Sequence, residues 1–175
     1  MIDPGVAPGP YVAYAARPVL APDLRACSSR APVCVHASSP RDGTAAMATL
    51  DAFERAWETL TGALAVPAPD VDPSTLAYDV FIVEPQSELG TTTLEARDVR
   101  SRFDRARAFT TIDRRVRAGC VLDALAAKML ARASLFRVAP ATEDGTARAQ
   151  SAYLAELVAP CSVGLSADAI LAFQS

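Results

Sequence analysis

The tract Tyr78-Asp79-Val80-Phe81-Ile82-Val83-Glu84 constrains the fold of this 175-residue chain more than any other. Its four consecutive β-branched or aromatic residues leave neither side of a strand suited to water. Such a strand belongs inside a sheet, with material packed on both faces. Two other stretches qualify as neighbours. Val33-Cys34-Val35-His36-Ala37 is β-branched and alternating, and Ala108-Phe109-Thr110-Thr111-Ile112-Asp113 offers a further candidate strand. Between the first two strands the period changes. Over residues 44–65, Leu50, Phe53, Trp57, Leu60 and Leu64 recur at intervals of three and four, which predicts one apolar helical stripe. Asp51, Glu54, Arg55 and Glu58 fall elsewhere on the wheel, and Pro67, Pro69 and Pro73 end the helix in a stiff connection.

The second half reads as helical. Residues 85–106 are polar and carry Gly90 with a Thr91-Thr92-Thr93 tract, as expected of a connection. Val121 to Phe136 predicts an alanine-rich buried helix, with Val121, Leu122, Leu125, Met129 and Leu130 toward the core. Pro140 interrupts, and residues 145–158 predict a second helix with Ala147, Leu154, Leu157 and Val158 as its apolar set. Ser166 is placed to cap a last short helix ending at Phe173. This order describes an α+β domain, a small β-sheet packed against several helices. Residues 1–32 read as an extended N-terminal segment with a short disulfide loop. Residues 33–175 read as a single α+β domain that ends as though cut from a longer chain.

Composition excludes more than it identifies. The chain is 51% hydrophobic but only 6% aromatic, so alanine carries much of the core. A net charge of −3 exerts no global pull toward nucleic acid or an anionic membrane. His36 is the single histidine, which rules out an HExxH zinc site and any mechanism with two imidazoles. No apolar run approaches the ~20 residues of a membrane span. The first ten residues lack the basic and apolar regions of a secretory leader, so either the chain is cytosolic or a leader has been removed.

The four cysteines allow three disulfide connectivities. Pairing in chain order, Cys27 with Cys34 and Cys120 with Cys161, implies an oxidising compartment. The longer loop would then contribute roughly 3–4 kcal/mol in the chain-entropy model. Four buried free thiols in a cytosolic protein are the alternative.

Several residues invite a chemical reading, each beside a plainer one. Arg97, Arg100, Arg102, Arg105, Arg107, Arg114, Arg115 and Arg117 concentrate cations that could clamp an anion. The interleaved Glu95, Asp98, Asp104 and Asp113 equally permit a self-paired surface. His36 would need a nucleophile and an orienting acid to act as a base, and no nucleophile elbow lies near it. Lys128, the only lysine, is a candidate nucleophilic amine if its pKa is depressed, or an amine that snorkels to the helix edge. Glu143 and Asp144 suit the start of a helix dipole.

The succession Asp51-Ala52-Phe53-Glu54-Arg55-Ala56-Trp57, a Pro/Asp linker and Tyr78-Asp79-Val80-Phe81-Ile82-Val83 resembles the N-terminal half of secreted bacterial zincin-like metallopeptidases. In that pattern a second strand follows, then a helix carrying HExxH, then a helix opening with "EGTA" that supplies a glutamate ligand. Thr142-Glu143-Asp144-Gly145-Thr146-Ala147 and Tyr153-Leu154-Ala155-Glu156 look like that last helix, and Val33-Cys34-Val35-His36 like the early strand. The resemblance spans roughly residues 33–174. It departs where the chemistry would lie, because aligning either Asp123–Ala127 or Ala127–Ala131 to HExxH leaves no histidine and no general base. Lys128 stands among these positions, and Asp144, or Glu143 before it, is the acid that matches the downstream ligand. A Cys120–Cys161 bridge would then hold the helices together where a metal otherwise would.

The resemblance therefore implies a non-catalytic secreted or periplasmic domain with a degenerate peptidase-like fold and a binding or structural role. No metal or other cofactor is expected, the partner is an unidentified protein or peptide, and neither nucleic acid nor a membrane span is involved. Two alternatives stand beside it. One is an enzyme of different chemistry using His36, Lys128 or the arginine cluster. The other is a cytoplasmic interaction module whose arginine-rich surface meets an acidic partner.

Overall fold

A computed structural model describes residues 11–13, 15–98 and 105–159. The chain forms an α+β fold. Strands β1 (Tyr11–Ala13), β2 (Leu24–Cys27) and β3 (Val33–Ala37) precede helix α1 (Gly43–Trp57). Strands β4 (Tyr78–Val83), β5 (Gly90–Asp98) and β6 (Arg105–Asp113) come next, followed by helices α2 (Cys120–Val138) and α3 (Asp144–Val158). The strands make one mixed sheet in the order β1-β5-β6-β4-β3-β2. β4 runs parallel to both β3 and β6, whereas β1–β5, β5–β6 and β2–β3 are antiparallel. The two-sided apolar strand thus lies at the interior of the sheet, as its composition requires.

Alternation along the strands separates two faces. Val33, Val35, Tyr78, Val80, Ile82, Ala108 and Ile112 point toward the helices and share one core with Leu50, Phe53, Leu122 and Leu130. Cys34, His36, Asp79, Phe81 and Phe109 point to the opposite face. There His36 stacks on Phe81 at 4.7 Å, and Phe81 meets Phe109 edge-on at 5.8 Å.

The helices depart from expectation in instructive ways. The α1 stripe buries Leu50, Phe53, Trp57 and Leu60, but Leu64 is partly exposed. The cause is a π-helical turn over Glu58–Ala63, which advances the phase of the wheel before the last leucine is reached. In α2, Leu122, Leu125, Met129 and Leu130 are buried, while Val121 faces outward. α3 buries Ala147, Ala149, Ser151, Ala152 and Ala155, and leaves Leu157 half exposed. Small residues let it lie close against α2, which places its larger apolar groups off the contact.

Two features of the sheet were not expected from the sequence. Residues 11–27 supply both of its edge strands, and the polar tract after residue 85 contains the nine-residue strand β5. Cys27 and Cys34 are directly opposite across β2 and β3 and form the expected disulfide. The other expected bridge involves Cys161, which lies outside the described residues, as do Arg100, Arg102 and the short helix ending at Phe173.

Gly90 is where β5 comes down onto α2. A Cβ built there would meet Ile112 Cδ1 at 3.0 Å and Leu125 Cδ2 at 3.2 Å. Gly90→Val adds a branched side chain to this filled space, and is expected to destabilise the domain by about 1–3 kcal/mol in denaturant unfolding.

Candidate functional site

Two clusters of polar side chains are built by this fold, one on each face of the sheet. On the face away from the helices, Asp79 has no solvent exposure. Its Oδ2 accepts from Arg17 Nη1 at 2.5 Å and from the Thr75 hydroxyl at 3.2 Å, and its Oδ1 meets His36 Nε2 at 3.1 Å. The Arg17 fork also donates to both oxygens of Glu95, at 2.8 and 2.9 Å, and pairs with Asp72 at 2.7 Å. Glu95 is the extra residue of a β-bulge between Leu94 and Ala96, and its Oε2 also accepts from Arg107 Nε at 3.2 Å. The second ring nitrogen of His36, Nδ1, meets Asp23 at 2.9 Å. Burial alone would lower the His36 pKa. The hydrogen bonds to Asp79 and Asp23, with their charges, outweigh it and raise the value above its ordinary one.

Both imidazole nitrogens are therefore engaged by carboxylates, and the ring sits under the N-terminal segment that Arg17 and Asp23 hold down. This arrangement fastens the N-terminal segment to the sheet, and the described partners of the His36 ring are the two carboxylates and the Phe81 ring.

The second cluster lies on the helix side. A groove of about 420 Å³ runs between the start of β5, one face of α2 and the first turns of α3. Lys128 and Arg132, one turn apart on α2, line it together with Asp144 and Arg148, one turn apart on α3. Arg132 Nη2 donates to Asp144 Oδ1 at 2.6 Å, and Arg148 Nε donates to Asp144 Oδ2 at 2.7 Å. The Arg132 guanidinium lies 4.8 Å from the centroid of the Phe136 ring. Its Nη1 is buried and has no hydrogen-bond partner among the described residues. Burial and the neighbouring Arg148 charge together hold the Arg132 pKa below its ordinary value, against the pull of Asp144. Thr92 closes the floor, its hydroxyl reaching the Met129 carbonyl at 3.0 Å. β1 pairs only with residues 96–98 of β5, so residues 90–94 present an outer edge without a strand neighbour among the described residues.

The sequence-selected positions are divided among these places. Lys128 and Asp144 come together in the groove. Ala127 and Ala131 are wholly buried in the core, on a different face of α2. Asp123 pairs with Arg55 of α1. Of the positions matched to HExxH, Lys128 therefore reaches the groove that holds the downstream acid, whereas Asp123, Ala127 and Ala131 do not line it. Among the described residues, no group of three or more His, Cys, Asp or Glu is placed to hold a metal ion.

Four arginines of the arginine-rich tract are dispersed and paired with acids of the fold. Arg105 binds Asp70 at 2.6 Å, Arg107 binds Glu95, Arg114 binds Asp42 and Glu84, and Arg115 binds Asp113 at 2.6 Å. None of these four lines the groove. Arg132 and Arg148, which do, were passed over in the sequence. Their helical spacing from Lys128 and Asp144 was the available signal. No described helix is long and apolar enough to cross a membrane.

Comparison with known proteins yields no match to a family model, to a curated protein or to a solved structure. The likeness to zincin-like peptidases thus rests on the short motifs quoted above.

Two outcomes are expected from the buried cluster. Arg17→Met leaves Asp79 with one fewer cation and is expected to cost about 2–3 kcal/mol in denaturant unfolding, less than a fully enclosed pair because Arg17 is partly exposed. The raised His36 pKa adds stability that is complete below the unfolded value of about 6.5 and is lost as pH rises through the folded value. The thermal midpoint should therefore fall as pH rises above about 6.5, and His36→Gln should flatten that part of the curve.

Proposed function

We propose that this chain is a non-catalytic binding domain, and that the groove between β5, α2 and α3 receives an extended segment of a partner protein. The observation that carries this reading is the outer edge of residues 90–94, which has no strand neighbour among the described residues and lies directly beside the wall that Lys128, Arg132 and Arg148 help to form. An unpaired strand edge offers backbone donors and acceptors to an added strand, and the adjoining groove can take that strand's side chains. The non-catalytic part of the reading is supported by the residues themselves. Asp123 and Ala127, or Ala127 and Ala131, stand at the positions on α2 that the peptidase resemblance assigns to histidine ligands, and the only imidazole is clamped on the other face of the sheet.

Selection of peptides from a random display library on the intact chain tests this directly. Enriched peptides are expected to perturb the backbone amides of residues 90–94 in NMR spectra. Lys128→Glu should weaken them by about fivefold or more through charge reversal. Peptides that map to the β2 edge or the opposite face contradict the groove assignment, and cleavage of the selected peptides by the chain contradicts the non-catalytic reading.

A further inference from the structure

We infer that residues 18–26 form a pH-sensitive strap over the sheet face opposite the groove. The strap is fastened while the His36 ring is an imidazolium, and it is released at Asp23 when that ring loses a proton. The device lies apart from the groove and stands or falls without the binding role proposed above.

Both ends of the strap are anchored. At one end the Arg17 guanidinium is shared among Asp72, Asp79 and Glu95. At the other end the Cys27–Cys34 disulfide ties β2 to β3. Between these anchors residues 18–23 belong to no strand or helix, and Asp23 reaches His36 Nδ1 at 2.9 Å.

The proton count of the ring decides whether that middle fastener holds. A carboxylate only accepts hydrogen bonds, so Asp23 and Asp79 are both served when both ring nitrogens carry hydrogen. That form is the imidazolium. A neutral ring keeps one hydrogen and turns a lone pair toward the other carboxylate. Burial decides which contact is given up. Asp79 is wholly enclosed, and its Oδ1 faces Nε2 while Arg17 and Thr75 serve Oδ2. The Asp23 side chain is half exposed, so water can replace its lost partner. The neutral ring therefore holds its hydrogen on Nε2, and Asp23 lets go.

The charged groups around the ring come from both neighbouring strands and the segment before them. Asp23 precedes β2, Arg25 stands opposite His36 in the β2–β3 register, and Asp79 belongs to β4 with the Phe81 on which the ring stacks. Arg17 reaches the ring through Asp79, and it gathers Asp72 of the linker and Glu95 of β5, itself paired with Arg107 of β6. Burial opposes a charge on the ring, but the hydrogen bonds to Asp79 and Asp23 outweigh it. The strap is therefore still fastened at the ordinary imidazole value of about 6.5, and it opens above it. Release frees the start of β2, where Leu24 pairs with Ala37, and uncovers that end of the β3 edge.

NMR of the intact, isotopically labelled chain tests the strap as pH is raised from about 6 through the titration of His36. The neutral ring is expected to carry its hydrogen on Nε2, read from the ring nitrogen shifts. Backbone order parameters of Asp23 and Leu24 should fall from about 0.85 to below about 0.6 along the same curve, while those of Cys27 and Val80 stay unchanged. Asp23→Ala should leave Leu24 mobile at every pH and move the His36 titration to lower pH.

Order parameters at Asp23 and Leu24 that do not follow the ring would overturn the strap. A neutral ring protonated on Nδ1 would also overturn it, since Asp79 would then be the contact released. So would an Asp23→Ala chain that keeps the pH step at Leu24. The first two measurements use the unaltered chain and do not depend on how the variant folds.

Discussion

A carboxyl group enclosed within a sheet must be matched by donors or the strand that carries it cannot be buried. Asp79 imposes that condition here, because it occupies β4, the strand with parallel neighbours on both sides. The match is made by residues far away in the chain. Arg17 comes from the N-terminal segment, Thr75 from the linker after α1, and His36 from β3. Satisfying this one group draws the N-terminal segment and the proline-rich linker over the sheet face opposite the described helices. The bulge in β5 then adds Glu95 to the same arginine. With ion pairs on that face, α1, α2 and α3 lie on the other, and the groove forms where β5 meets α2 and α3.

How far the fold could be read in advance follows from how local each determinant is. β4 and the α1 stripe were legible because their periodicity lies within a few consecutive residues. β5 was not, since its threonines have no apolar alternation, and only pairing with β6 along its whole length and packing of Gly90 on α2 make it a strand. The Arg17–Asp79 pair bridges 62 positions, and no short motif announces it. α3 was legible as a helix but not in its orientation, because hydropathy favours leucine where close approach to α2 selects alanine. The leucine at 64 was misplaced for a similar reason, since one π-helical turn is invisible to a pattern counted in steps of three and four.

The candidate site shows the same division. Lys128 and Asp144 were singled out through a likeness to metallopeptidases, and they do share a groove, but their companions are Arg132 and Arg148 rather than metal ligands. The dense arginine tract drew attention through number alone, yet Arg105, Arg107, Arg114 and Arg115 are matched with carboxylates within the fold. Arg132 is matched by Asp144, and its enclosed Nη1 has no hydrogen-bond partner among the described residues. Around Asp79 the charges are satisfied internally and hold the structure together.

The account depends most on where a partner segment settles. Amide chemical-shift perturbation of the intact, isotopically labelled chain by a peptide selected for binding would locate it. Shifts are expected at residues 90–94 and along the groove between β5, α2 and α3. Shifts confined to the β2 edge or to the opposite face of the sheet would contradict it.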